Sequence, residues 1–298
     1  MRPIPTATAS LSTSARVSTP PQTLDIEGAL AYVRKHSLDA CAIEQAGRLV
    51  GEAYSADFSA NQPHPLYSGS KSFWGPLALR AQQDGVLQLD EPVCETIHEW
   101  RDDADKKAVT IRMLLSLTAG YGFGGLGNAV PTYDRAISIP LKDKPGTKFT
   151  YGGIALQVFG ALLARKLAPR QVTPHEYLMR QLLAPAGVSL ASWRTLKDGT
   201  HPLPTGAFLS ARDWLAYGNY VLEKYQEFAE CFRGSQANPR YGLGWWLRAS
   251  GAPLDLVYAS GSGGQALYVV RSAALAIVHF GNGGSYKHES FLRQLFKR

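Results

Sequence analysis

Apolar positions along the chain follow two different periods, and the switches between them outline its elements. Ala40 to Tyr54 alternates around Ala46-Gly47, the pattern of two short strands joined by a tight turn. Phe73, Trp74, Leu77, Ala78 and Ala81 then recur at helical spacing until Asp84-Gly85, which predicts an amphipathic helix with one buried stripe. From about 76 to 234 the signals are mostly helical, separated by turns rich in Pro and Gly, and the nearly all-apolar run Ile154 to Leu163 reads as a buried helix. Strand signals return at Tyr241 to Leu247, Leu254 to Tyr258, Gln265 to Val270 and Ala274 to Phe280, with turns at Ser250-Gly251 and Arg271-Ser272. Glu289 to Lys297 places Phe291, Leu292, Leu295 and Phe296 on one helix face that can cover that sheet. The expectation is an α+β fold: an antiparallel sheet flanked by N- and C-terminal helices (about 23–75 and 235–298), with a mostly helical lobe (about 76–234) and the cleft between them.

Composition narrows the classes. The 298 residues, 45% of them hydrophobic, can bury a large core. No apolar stretch reaches the roughly 18 residues of a membrane span. Residues 1–22, rich in Ser, Thr, Pro and Ala, read as a flexible arm or leader without the apolar centre of a secretory signal. Cys41, Cys94 and Cys231 are an odd set at long spacings, which points to a reducing compartment and a cytoplasmic location. The net charge of +7 is spread along the chain, and its densest group, Lys142, Lys144 and Lys148, falls around a turn, so no nucleic-acid partner is expected. The seven histidines are scattered and no His or Cys pair has ligand spacing, so no metal and no other cofactor is expected. His279 lies in an apolar strand and reads as a core residue, and His64, between Pro63 and Pro65, as part of an irregular loop. Gly120 to Gly127 contains G-x-G-x-x-G but follows a helical signal; it reads as a loop, with Tyr121 or Phe123 at a pocket rim.

Chemistry concentrates at Ser68-Gly69-Ser70-Lys71. Residues three apart share a helix face, so the Lys71 amine would stand beside the Ser68 hydroxyl. A serine attacks poorly unless a neighbouring base removes its proton as the bond forms. For Lys71 to serve, its pKa must fall from about 10.4 toward neutrality, a differential of about 4 kcal/mol over three units. Two further segments follow in order. Pro145-Gly146-Thr147-Lys148-Phe149-Thr150-Tyr151 leads a phenol to the mouth of the buried helix, and Tyr258-Ala-Ser-Gly-Ser-Gly-Gly-Gln265 runs into a β-branched strand. No G-x-S-x-G elbow is present, which removes the usual mark of an α/β-hydrolase triad.

With these three segments, Thr110 to Gly120, Ser210 to Gly218 and Tyr241-Gly-Leu-Gly-Trp-Trp246, the chain resembles the serine β-lactamase and penicillin-binding protein superfamily over most of its length. Within it the chain resembles the class C β-lactamase-like branch, with its family VIII-type esterases, D-aminopeptidases and oligoamide hydrolases. The resemblance implies Ser68 as acylated nucleophile, Lys71 as the adjacent amine, Tyr151 as the proton-shuttling phenol, and the backbone of Ser68 and Gln265 as oxyanion hole. Which of Lys71 and Tyr151 is the base stays open. Two departures bear on substrate. Gly153 stands where many relatives carry an asparagine that holds a substrate carbonyl, and Ser262-Gly263-Gly264 replaces a Lys-Thr-Gly-like triplet whose cation pairs with a carboxylate. The implied substrate is therefore a neutral small-molecule ester or amide handled through an acyl-enzyme. The alternatives are a β-lactamase or D-amino-acid peptidase, or a catalytically silent binding protein of the same fold. Trp246 faces either the cleft or the core. Nothing in the sequence sets the oligomeric state.

Overall fold

A computed structural model describes residues 23–297; the expected arm at 1–22 lies outside the described residues. The chain begins with α1 (Ile26–Lys35), capped by the Asp25 side chain, which accepts from the Gly28 amide at 2.8 Å. β1 (Ala40–Gln45) and β2 (Arg48–Tyr54) form the expected hairpin. Its two-residue turn places Ala46 and Gly47 at φ of 50° and 74°, the doubly positive geometry that matches the twist of paired strands.

Two residues, His64–Pro65, form β3, after which Tyr67–Phe73 winds as a 3₁₀ helix into α2 (Trp74–Gln83). The helix carrying Ser68 is thus tighter than an α-helix at that point. Its serines explain why: the Ser70 and Ser72 hydroxyls each donate to the carbonyl three residues back, at 2.8 Å, in competition with regular helical pairing.

The middle of the chain supplies α3 (Ile111–Leu115), α4 (Tyr133–Ser138), the buried α5 (Ile154–Leu167) and α6 (Pro174–Leu178). It also contains strands that the helical pattern hid. β4 (Ser192–Trp193) and β5 (Ala207–Leu209) join β3 in a small sheet of order β3-β5-β4, positioning the approach to Ser68. α7 (Ala211–Glu223) then packs on the main sheet and also against the segment bearing Ser68, its Tyr217 hydroxyl donating to the Ser72 carbonyl at 2.9 Å.

β6 is only Trp246–Leu247. The expected strand from Tyr241 is instead a loop bridged back at Tyr241 and Trp246, because Gly244 at φ 84° brings its backbone against the Lys71 carbonyl, where a Cβ would lie 2.3 Å away. β7 (Leu256–Gly261) starts later and runs further than the expected Leu254 to Tyr258, whereas β8 (Gln265–Val270) and β9 (Leu275–Phe280) lie as expected. α8 (His288–Leu295) ends the fold.

The main sheet has the order β2-β1-β9-β8-β7-β6 and is antiparallel throughout. Both faces are covered, which is why β8 and β9 are buried at every position. Alternation still sorts their side chains: Leu267 and Val269 join the large core with α2, α5 and α7, while Ala266, Tyr268 and Val270 join the smaller one under α1 and α8. Among the described residues, no helix is long and apolar enough to cross a membrane. Cys41, Cys94 and Cys231 are unpaired.

Candidate active site

Ser68 sits in the first turn of the 3₁₀ segment, directly after Tyr67, which is held at φ 48°. A left-handed backbone at a non-glycine residue costs about 1 to 3 kcal/mol, and here it turns the chain sharply so that Ser68 faces a cleft. The cleft is a cavity of about 780 Å³ between that turn, β7 and the loop at Leu126 and Gly127.

Lys71 lies beneath Ser68, 1% exposed, with its Nζ donating to Ser68 Oγ at 2.8 Å and to the Pro204 carbonyl at 3.1 Å. Burial lowers its pKa to about 7, so near neutrality a large fraction of the amine is unprotonated. The same Nζ is 4.8 Å from the centroid of the Tyr151 ring. Burial raises the Tyr151 phenol above its usual range, with the Ser68 hydroxyl acting in the opposite sense. The two groups left open by the sequence as the base are thereby pushed in opposite directions, Lys71 toward the free amine and Tyr151 toward the protonated phenol.

Trp246 faces the cleft and Trp245 the core. Tyr151, Trp246 and Tyr258 stack in sequence, with centroids 5.7 and 6.4 Å apart, to make an aromatic wall, while Trp245 is fully buried and donates its indole proton to the Ser72 carbonyl. Among the described residues no Lys or Arg side chain lines the cavity; its polar lining comes from hydroxyls, His288 and backbone.

Several expected site residues lie elsewhere. Tyr121 is buried at 5% exposure beside Gly122 and Gly152, its phenol oxygen without a hydrogen-bond partner, and does not reach the cleft; Phe123 points into solvent. Gly153 is packed against the Gly125 carbonyl, where a Cβ would lie 1.9 Å away, so that position has no room for the asparagine amide of relatives. Ser262 lines the cavity, but Gly263 and Gly264, at φ 83° and 94°, form the turn behind it. Gln265 is 1% exposed, with its side-chain amide bound to Gly281 in both directions.

The register of β7 turns the Gln265 amide into the ladder, away from the place expected of an oxyanion donor. The Arg248 amide donates to the Leu256 carbonyl across the β6 side, so alternate peptide groups from Leu256 point that way and those at Val257, Ala259 and Gly261 point to β8. Gly261 opposes Gln265 in that ladder, which engages the Gln265 amide. β6 ends opposite Tyr258, leaving the outward side open at Ser260 and, just past the strand, at Ser262. Gly261 itself abuts the turn before Ser68: a Cβ there would lie 2.2 Å from the Leu66 carbonyl.

Sequence reasoning missed Ser260, Tyr258 and His288. The first two carry a period-two pattern with Ser262 that would have put them on one side of a strand. His288 opens a helix 20 residues after β8 begins to carry its partner Tyr268, and no local pattern joins the two. His279, as expected, is a core residue, bound through Nδ1 to the Gly264 carbonyl at 2.7 Å. His64 pairs β3 with β5 and stacks on Phe280, 4.7 Å between centroids, outside the cavity. Among the described residues, no group of three or more His, Cys, Asp or Glu could hold a metal ion.

An antiparallel sheet with helices on both faces, and a Ser-x-x-Lys turn abutting β7, define the β-lactamase/transpeptidase-like fold. The chain belongs to the β-lactamase family, whose model matches residues 39–294. No protein of curated function matches the chain in sequence. Solved structures share the fold. EstCE1, described as a hydrolase with promiscuous acyltransferase activity, superposes with a TM-score of 0.73 at 17% identity, over 90% of this chain and 96% of its own. A class C β-lactamase from Rhodobacter sphaeroides gives 0.68 at 16%, over 90% and 96%. A penicillin-binding protein from Bacillus halodurans gives 0.66 at 15%, over 90% and 97%.

Proposed function

We propose that this protein is a serine hydrolase that cleaves neutral carboxylic esters or simple amides through an acyl-enzyme. The observation that carries this reading is the 2.8 Å contact between Ser68 Oγ and a Lys71 amine whose pKa lies at about 7, at the floor of a cleft with no cationic lining. Free Lys71 takes the Ser68 proton as Oγ bonds to the substrate carbonyl carbon, and the carbonyl electron pair moves onto its oxygen. Backbone N–H groups of Ser68 and Ser262 receive that oxyanion. As the carbonyl re-forms, the bond to the leaving alkoxide or amine breaks, and the leaving group takes a proton from Tyr151, which Lys71 replenishes. Water then attacks the acyl-enzyme with the same groups acting in reverse, releasing the acid and restoring Ser68.

The substrate class follows from the missing charge. A carboxylate entering the cleft would lose hydration without gaining a cation, and charge-assisted hydrogen bonds are about twice as strong as neutral ones. The chain's likeness to EstCE1, a hydrolase, agrees with this reading.

Intact-mass spectrometry tests it. Wild type and Ser68→Ala are incubated with a fluorophosphonate, a p-nitrophenyl ester and a penicillin. The expected result is a Ser68-dependent phosphonate adduct and ester turnover, with little penicillin adduct. A lasting penicillin adduct would move the substrate class to β-lactams and peptides, and a folded wild type without any adduct would overturn the enzyme assignment.

A further inference from the structure

On the wall of the cleft opposite Lys71, four polar side chains form a line that the acylation chemistry leaves unused. Ser260 Oγ is 3.1 Å from His288 Nε2, His288 Nδ1 is 2.5 Å from the Tyr268 hydroxyl, and that hydroxyl is 2.7 Å from the hydroxyl of Tyr286. Ser260 and His288 line the cavity, while Tyr268 is fully buried in the core under α8. Burial lowers the His288 pKa to about 4, so near neutral pH its ring is uncharged and carries one proton.

The direction of the line is set at its inner end. Tyr286 has Tyr268 as the hydrogen-bond partner of its hydroxyl, so it donates its proton there. Tyr268 then gives its own proton to His288 Nδ1, which fixes the ring as the Nε2–H tautomer. Nε2–H donates to Ser260 Oγ. The Ser260 proton is left for the cavity. The opposite order would leave the Tyr286 proton without a protein acceptor among the described residues.

We propose that His288 is a positioning residue that directs the Ser260 hydroxyl proton into the cavity, so that the cleft favours esters or amides bearing a neutral ether or carbonyl oxygen opposite β7. This rests on the hydrolase reading for its substrate, but the proton order stands on its own. A methylene at that place would leave the donor without an acceptor.

Two measurements test the proposal. Nitrogen-15 NMR of the imidazole rings, with the His288 signals assigned by their loss in His288→Phe, should show a neutral ring protonated at Nε2; a ring protonated at Nδ1 overturns the proton order and the proposal. Steady-state kinetics are then compared for p-nitrophenyl esters whose acyl chains carry an ether oxygen at successive positions, each against its all-carbon isostere. Wild type should prefer one oxygen-bearing ester about three- to tenfold in kcat/KM, mainly through KM, as expected for one neutral hydrogen bond. That preference should vanish in Ser260→Ala and in His288→Phe, with no further loss in the double variant, and should weaken in Tyr268→Phe, which keeps the ring and removes its anchor. Fluorophosphonate adducts at Ser68 separate the two readings. Wild type that labels but shows no oxygen preference, or variants that label and keep it, overturn this inference alone; wild type that does not label overturns the hydrolase reading and the selectivity with it.

Discussion

At Lys71 the structure sets a neutral-pH amine against the stability of the fold. The unfolded chain keeps the Lys71 proton up to its ordinary value of 10.5, and the folded chain releases it at about 7. Between these values the unfolded state binds more protons, so this residue's contribution to stability rises with pH and its full penalty applies below about 7. Lys71→Met should therefore be inactive yet more stable than wild type at pH 7, by about 1 to 3 kcal/mol in chemical denaturation, with the advantage shrinking as pH approaches 10. Acylation of wild type should rise through about pH 7 as the amine loses its proton, which a pH series of fluorophosphonate labelling rates will show. Tyr151, whose phenol is pushed upward and stays protonated there, is the proposed donor to the leaving group. Tyr151→Phe should slow ester turnover by about 10²- to 10⁴-fold, the range for a general acid, and the loss should be smallest for good leaving groups that need no proton.

At the level of elements, close packing of glycines decides what the cleft can accept. Gly153→Asn, which would restore the residue of many relatives, should lower the thermal midpoint rather than create β-lactam binding, because its Cβ would stand 1.9 Å from the Gly125 carbonyl. Gly261→Ala should reduce kcat by more than about tenfold with the fold retained, since a Cβ 2.2 Å from the Leu66 carbonyl pushes β7 away from the turn bearing Ser68. These contacts mark the limit of what the chain disclosed as a sequence. The hairpin at Ala46-Gly47, the strands at 265–270 and 275–280, the buried α5 and the apolar face of α8 were legible because each rests on a local period or a turn residue. Ser68 and Lys71 were legible for the same reason, three residues apart. The proposed oxyanion donor was not: Ala259 to Gly264 is a run of small residues, and only the Arg248 to Leu256 hydrogen bond, made across strands, determines which of its peptide groups face out. Tyr121 was misplaced because a tyrosine in a glycine-rich loop looks free to reach a rim, whereas its side chain is buried and lines a small internal cavity with Leu117 and Ile154. Long-range partners such as His288 carry no local mark at all.

Across the whole molecule, charge and chemistry are kept apart. The chain carries a net charge of +7, yet among the described residues no Lys or Arg lines the cleft above Lys71. The sheet closes in a way that reaches beyond catalysis. β1 is zipped to β9 from Ala40 opposite Phe280 to Gln45 opposite Leu275, and the Asp25 amide is tied to the Leu295 carbonyl at 2.9 Å. A ribosome adding about 5 to 20 residues per second needs on the order of 10 to 50 seconds to supply β9 after β1 has emerged. Through that interval the first hairpin must wait with an unpaired apolar edge, the kind of strand that other nascent chains can pair with. Output of native protein should therefore depend on how quickly translation finishes and on whatever shields the hairpin meanwhile, and slow codons placed between the two strands should lower the soluble yield without altering a single residue.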